Sequence, residues 1–256
     1  MDKHKLIKKI IEKKIYSRLP LIDVKLAFKK NNNNNYTDEE KVKKTRELLG
    51  KIYSAFSGQR LMTRRKLSVE EVLKRHRSTR ERLPYYSEIY KRVFNNIHFK
   101  SIVDLGAGVN GFTYALMPNG INYIGVEGVG QFVDLTNDYF KEEKIKGKVH
   151  HFSLFELDRV KRLVKKQPEP RIALLFKVID GLEILQRNYS KELINEIISV
   201  VSINDKIVVS FATKSFEKRR SFHAQRNWLV NFIKERFMII DDFELGGERY
   251  LVFGKG

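Results

Sequence analysis

Gly106 and Gly108, one residue apart at the end of the run S-I-V-D-L-G-A-G-V-N (101–110), are the residues best suited to hold a ligand. Without a Cβ the backbone turns sharply there and lets a bound group approach closely. Asp104 stands at the carboxyl end of the apolar run, where open α/β sheets bind their ligands. Glu127 closes a second run, I-N-Y-I-G-V over 121–126. An acid about twenty residues beyond such a turn accepts hydrogen bonds from a ribose diol. No Lys-Ser or Lys-Thr follows the glycines, which excludes a P-loop. A dinucleotide and S-adenosylmethionine remain, and since many nucleotide-binding folds share a G-x-G turn, the elements around it must separate them.

From residue 101 apolar runs and helical periods alternate, the pattern of an α/β sheet. Strands are predicted near 101–105, 121–126, 148–152, 171–176, 206–211, 237–243 and 249–253, and helices near 110–117, 130–143, 156–166, 190–201 and 222–236. Gly246 and Gly247, between Glu244 and Glu248, mark a hairpin between the last two strands. Five α/β units closed by a hairpin are the order of a Rossmann-like methyltransferase fold with a seven-stranded sheet. The chain is expected to be too short for the second mononucleotide half of a nicotinamide dehydrogenase. The expected division is a helical domain over 1–98 and a Rossmann-like domain over 99–256.

Composition sharpens that division. Of the net charge of +19, residues 1–100 carry 27 Lys and Arg against 11 Asp and Glu, whereas 101–256 carry 23 against 20. A helical module with such a surplus most simply meets phosphates. Residues 3–16 place Leu6, Ile7, Ile10, Ile11 and Ile15 at helical spacing among six lysines, a basic amphipathic helix expected to pack on its neighbours. A second helix is expected over 21–30, ended by the five asparagines 31–35. Thr37 with Glu40, and Ser68 with Glu71, are capping boxes opening helices at about 38–55 and 68–75. Arg64, Arg65 and Lys66 lie between them, and a further helix is expected over 78–95. Absence of cysteine removes disulfides, thiolate metal sites and a cysteine nucleophile, and no metal is expected. No run of about eighteen apolar residues and no signal-peptide pattern occurs, so no membrane partner and a cytoplasmic location are expected. His150 and His151 are expected on a strand, and Trp228 in the core beneath helix 222–236.

Four blocks then stand in a distinctive order: H-R-S-T-R-E-R-L (His76 to Leu83), V-D-L-G-A-G-V-N (Val103 to Asn110), L-L-F-K-V-I-D-G-L-E (Leu174 to Glu183) and S-F-A-T-K-S (Ser210 to Ser215), with G-G-E-R-Y-L-V (Gly246 to Val252) near the end. In these the chain resembles the aminoglycoside-resistance family of 16S rRNA (guanine-N7) methyltransferases, the ArmA, RmtB and Sgm group, over residues 40–254. The resemblance implies methyl transfer from S-adenosyl-L-methionine to N7 of a guanine in the decoding centre of the small ribosomal subunit, by a monomer that grips 16S rRNA with its basic helices. The chain departs from the family at Ala107 and Gly111, at Glu127 in place of Asp, at Val129, and at Val178 to Asp180. Action on another RNA atom such as adenine N1, and a non-catalytic ribosome-binding relative, remain as alternatives.

The resemblance assigns roles by residue. Gly106, Ala107 and Gly108 would take the methionine end, with Asp104 orienting the turn or the amino group, and Arg80, before Arg82, would take the carboxylate. Glu127 and Gly128 would hold the ribose, and Ser153 and Leu154 would border the adenine. Lys177 is the candidate catalytic residue, facing cofactor or target phosphate. Arg64, Arg65, Lys66, Lys214, Ser215, Lys218, Arg219 and Arg220 would contact RNA backbone. Guanine N7 offers an in-plane lone pair and needs no base. Removal of residues 1–95 is expected to leave cofactor binding and to remove most of the salt-sensitive RNA affinity.

Overall fold

A computed structural model of the protein describes residues 2–54, 67–95, 97–213 and 226–256. Seven strands form one sheet: β1 (Ser101–Leu105), β2 (Asn122–Glu127), β3 (Gly147–His151), β4 (Arg171–Phe176), β5 (Lys206–Ala212), β6 (Met238–Leu245) and β7 (Glu248–Gly254). Their order is β3-β2-β1-β4-β5-β7-β6. The first five are parallel, and β7 runs antiparallel between β5 and β6. This is the Rossmann-like methyltransferase arrangement with its terminal hairpin. Every residue of β1 and β4 is buried, because helices cover both faces of a parallel sheet. β1 continues one way to β2 and β3, while β4 lies on its other side. The carboxyl ends of β1 and β4 therefore flank a topological switch point, where such sheets open a crevice.

The helices are α1 (Lys3–Glu12), α2 (Leu21–Asn31), α3 (Asp38–Leu49), α4 (Val69–Arg75), α5 (Arg77–Arg82), α6 (Tyr86–Val93), α7 (Gly130–Glu142), α8 (Leu157–Lys165), α9 (Ile179–Leu185), α10 (Tyr189–Val200) and α11 (Asn227–Arg236). Both capping boxes form, Thr37 with Glu40 and Ser68 with Glu71. On α1, Leu6, Ile7 and Ile10 are buried, while Lys3, Lys5, Lys8 and Lys9 are exposed, as its amphipathic pattern requires.

Several expectations are corrected. The helix expected over 78–95 is broken at Pro84, which lacks an N–H: α5 ends at Arg82, one 3₁₀ turn spans Leu83–Tyr85, and α6 follows. Residues Asn110–Leu116 form 3₁₀ rather than α-helical turns, just ahead of Pro118, which disfavours helix in the residue before it. The helix expected to reach 55 ends at Leu49 and continues as a π turn over Gly50–Ser54. The helix α9 was not expected.

The helical elements do not stand apart from the sheet. Leu6, Val24, Phe28, Leu49 and Val72 share one apolar cluster with Val109, Phe112, Phe132 and Leu185. A chain that begins at residue 96 exposes the second set, several of them wholly buried. Such a fragment is expected to lose the cooperative unfolding transition of the full chain, as followed by circular dichroism in urea, instead of retaining a folded cofactor domain.

Candidate active site

A cavity of about 370 Å³ opens at the carboxyl ends of β1, β2 and β4. Its floor is the glycine turn. Gly106 has φ +79° and Gly108 φ +52°, values that L side chains rarely adopt. A Cβ at 106 would overlap Val178 Cγ1, and one at 108 would lie 3.1 Å from the His76 ring. The turn is held by Glu127: Gly108 N–H donates to Oε2 (2.8 Å) and Val129 N–H to Oε1 (2.7 Å). Burial pushes the Glu127 carboxyl up to about 7 against these donors. Asp104, also raised by burial, accepts from Tyr123 OH (2.6 Å) and Asn110 Nδ2 (2.8 Å).

Nine of the ten residues assigned to the cofactor line this one cavity: Asp104, Gly106, Ala107, Gly108, Glu127, Gly128, Ser153, Leu154 and Lys177. Arg80 does not. It is exposed on α5. Three other arginines, Arg77, Arg82 and Arg226, line the cavity, and the most deeply buried of them is Arg82, two residues on from Arg80 and so on a different side of the helix. Arg82 is 3% exposed and donates from Nε to both Glu248 oxygens (3.1 Å each), from Nη1 to Tyr86 OH (3.2 Å) and from Nη2 to Ser78 Oγ. Its guanidinium lies 4.9 Å from the Phe176 ring centre.

Lys177 is not an exposed lysine at the cavity mouth. Its side chain is 8% exposed, with Nζ 2.6 Å from Glu81 and 3.0 Å from Glu248. Although burial opposes ionisation of Glu248, Arg82 and Lys177 beside it hold its carboxyl below the usual range. Trp228 is likewise corrected: it is 37% exposed, with Lys191 Nζ 5.5 Å over its ring. His150 and His151 do lie on β3. Arg64, Arg65, Lys66, Lys214, Ser215, Lys218, Arg219 and Arg220 lie outside the described residues.

Among the cavity residues that went unseen in the sequence are Asp23 on α2, Tyr53 in the π turn and His76 between α4 and α5. A signal existed for Asp23, an acid in step with Val24, Ala27 and Phe28 on the apolar face of its helix. His76 is 5% exposed and packs edge-on against Phe132. Burial, together with the positive charges of Arg82 and Lys177, drives its imidazole down to about 3, so it is neutral at physiological pH. Among the described residues no cluster of His, Asp and Glu is placed to hold a metal ion, and no helix is long and apolar enough to cross a membrane.

Known proteins are similar to this chain in sequence and in fold. A 16S rRNA (guanine(1405)-N(7))-methyltransferase of Micromonospora rosea is 29% identical over 189 residues, covering 70% of this chain and 63% of that protein. The chain thus spans less than two thirds of the length of this curated relative. The crystal structure of the 16S rRNA methyltransferase RmtF in complex with S-adenosyl-L-homocysteine superposes with a TM-score of 0.78 at 19% identity, covering 100% of both chains. That of the 16S rRNA methylase RmtB gives 0.76 at 18% identity, covering 100% of this chain and 99% of the other. At these identities the solved structures bear on the fold. The sequence model for the FmrO ribosomal RNA methyltransferases matches residues 63–252, from ahead of the Ser68 cap to the final strand. That span takes in the glycine turn, Glu127 and the Arg82–Glu248 pair together, and the chain belongs to the FmrO family of ribosomal RNA methyltransferases.

Proposed function

We propose that this protein transfers a methyl group from S-adenosyl-L-methionine to N7 of a guanine in the 16S rRNA of the small ribosomal subunit, acting as a cytoplasmic monomer. The observation that carries the proposal is the cavity at the switch point, floored by the glycine turn and closed by the buried acid at the end of β2, in a chain of this family. The residues present fit the cofactor. The cavity's volume lies in the range of small-molecule sites, and the glycine turn brings bare backbone to its lining.

When bound, the sulfonium supplies an already activated methyl group. The protein's work is alignment and exclusion of water. Gly106, Ala107 and Gly108 make room for the methionine end. Arg82 replaces Arg80 as the cation that faces the carboxylate. Glu127 and Gly128 receive the ribose diol, and Ser153 and Leu154 border the base. Lys177 acts as a positioning residue, because its charge is already matched by Glu81 and Glu248 at the end of β4. Guanine N7 needs no proton removed, in keeping with a cavity whose His76 is neutral and tightly packed. The basic unit over 1–98, with Arg64, Arg65 and Lys66, and the segment carrying Lys214, Ser215, Lys218, Arg219 and Arg220, are read as the RNA-gripping surfaces around the methyltransferase unit over 99–256. Exposed lysines on α1 support this, since phosphate contacts need accessible cations.

Labelled methyl transfer to purified 30S subunits, mapped by primer extension, tests the proposal. Label at one guanine is expected. Label on free tRNA or on the protein instead would overturn it.

The buried acid sets a pH dependence. An ionised carboxylate accepts a diol better than a protonated one. Affinity for S-adenosyl-L-homocysteine is therefore expected to fall as pH drops below about 7, approaching tenfold per unit, and to level off above it. The unliganded protein moves the other way. Between the ordinary carboxylate value and 7 its native state holds a proton the unfolded chain has lost, so stability declines as pH rises through that window. Calorimetry and urea melts at pH 6, 7 and 8 check both slopes, and Glu127→Gln is expected to reduce both, leaving the smaller share of Asp23, whose carboxyl burial raises to about 6.

A further inference from the structure

Asp23 belongs to α2, on the helical side of the cavity, and is only 2% exposed. One oxygen accepts from Tyr53 OH (2.8 Å) and the other from Ser153 Oγ. Ser153 is itself locked, since its Oγ accepts from Phe155 N–H (3.0 Å) and its own N–H donates to Glu156 (3.1 Å). A carboxylate oxygen offers two lone pairs, so each Asp23 oxygen keeps an acceptor site beyond these bonds. Leu154 and Phe155, beside it, make the surroundings apolar.

The location follows from the sheet. Order runs β1-β2-β3, with neighbouring strands about 4.8 Å apart. A ligand whose chain starts over the β1 turn and whose diol meets Glu127 at the end of β2 brings its base over the end of β3. Ser153, two residues past β3, stands there. Asp23 stands there too: a Cβ on Gly128, next to Glu127, would lie 3.6 Å from Asp23 Oδ2 and 3.4 Å from the Tyr53 ring.

We infer that Asp23, carried by the N-terminal helical unit, selects the adenine base by accepting a hydrogen bond from its exocyclic amine. This rests on the reading of the cavity as an S-adenosyl-L-methionine site. A carboxylate accepts from the 6-amino group of adenine and repels the 6-carbonyl of a hypoxanthine or guanine base. Burial, with Glu156 nearby, pushes the Asp23 carboxyl up to about 6, while the Ser153 and Tyr53 hydroxyls and His151 work to lower it. At neutral pH it is thus ionised and able only to accept. The inference also explains why a helix of the basic unit supplies a wall of the cofactor cavity: a bound base ties α2 to the ends of β2 and β3, so the surface that meets RNA is braced when the donor is present.

Calorimetry with S-adenosyl-L-homocysteine and its 6-oxo analogue S-inosyl-L-homocysteine tests this on the full chain. The wild type is expected to bind the adenine compound at least about 10- to 100-fold more tightly, the size of one hydrogen bond to a buried charge. The near-isosteric Asp23→Asn, whose amide both donates and accepts, is expected to narrow that ratio to within threefold or reverse it, with Glu127 contacts unaffected. Ser153→Ala, which frees the carboxylate's orientation, is expected to reduce it partially. A wild type that binds both compounds equally, or an Asp23→Asn protein that keeps the wild-type ratio, overturns the inference alone. A wild type that binds neither compound overturns the cofactor reading, and this inference with it. Should Asp23→Asn fail to fold, the wild-type ratio still decides.

Discussion

Gly106→Ala is expected to lower affinity for S-adenosyl-L-homocysteine by more than 100-fold while leaving most of the chain folded. Two effects combine at this position. With φ at +79°, an L residue there costs about 1–2 kcal/mol in backbone strain. The added methyl also overlaps Val178 Cγ1, and valine is stiff about χ1, so rotation cannot clear it. The turn must move, and it carries Gly108 N–H, which donates to Glu127. Displacing the turn therefore disturbs both the methionine end and the acid meant for the ribose. Gly120→Ala separates the two effects, since Gly120 has φ +73° but nothing within 4 Å of the added Cβ. That variant is expected to show the strain alone, as a loss of about 1 kcal/mol in urea denaturation, with unchanged affinity. Equal affinities for both variants would remove the turn from the site.

Much of this site was legible because its parts are local. Ile102, Val103 and Leu105 leading into two glycines state a buried parallel strand and the turn after it in ten residues. Glu127 follows from the next strand by spacing. The basic face of α1 and both capping boxes are likewise written within a few residues, and the structure has them all.

What escaped depends on contacts across long stretches of chain. Arg80 and Arg82 are indistinguishable as arginines on one helix; the partner that buries Arg82 is Glu248, 166 residues away. Asp23 becomes a cavity residue only when α2 packs beside Ser153, 130 residues on. The helix α9 was hidden for another reason: seven residues with Gly181 inside them carry little propensity of their own. Its apolar residues Ile179, Leu182 and Leu185 are buried, and tertiary packing makes the helix. The apolar cluster that joins the helical unit to the sheet is hidden for the same cause, since charge asymmetry reports on surfaces and says nothing of a shared core.

Arg82→Ala is expected to cost about 3–5 kcal/mol of stability, the penalty for leaving one member of a buried ion pair behind. Arg82 and Glu248 have side-chain exposures of 3% and 1%, so neither charge can turn to water. Glu248 also receives a hydrogen bond from Ser210 Oγ and has Lys177 Nζ at 3.0 Å. Lys177 meets Glu81 in turn, so two cations and two carboxylates alternate through the cluster, with Arg77 at its edge 3.2 Å from Glu81. Loss of Arg82 upsets that balance and removes the donor to Tyr86 OH, which itself donates to Asn110 (2.9 Å), the residue that donates to Asp104. The damage therefore runs from β7 through α5 and α6 to the glycine turn, and affinity for S-adenosyl-L-homocysteine is expected to fall with stability. Arg82→Met with Glu248→Leu tests the physical cause. It deletes one charge of each sign, leaves Lys177 paired with Glu81, and fills the site with apolar side chains. The double variant is expected to be more stable than Arg82→Ala in urea melts even though it carries one substitution more, because the two carboxylates no longer share the single cation Lys177. Costs that simply add would mean that the two side chains are not coupled, and the brace between the helical unit and the last strand would have to lie elsewhere.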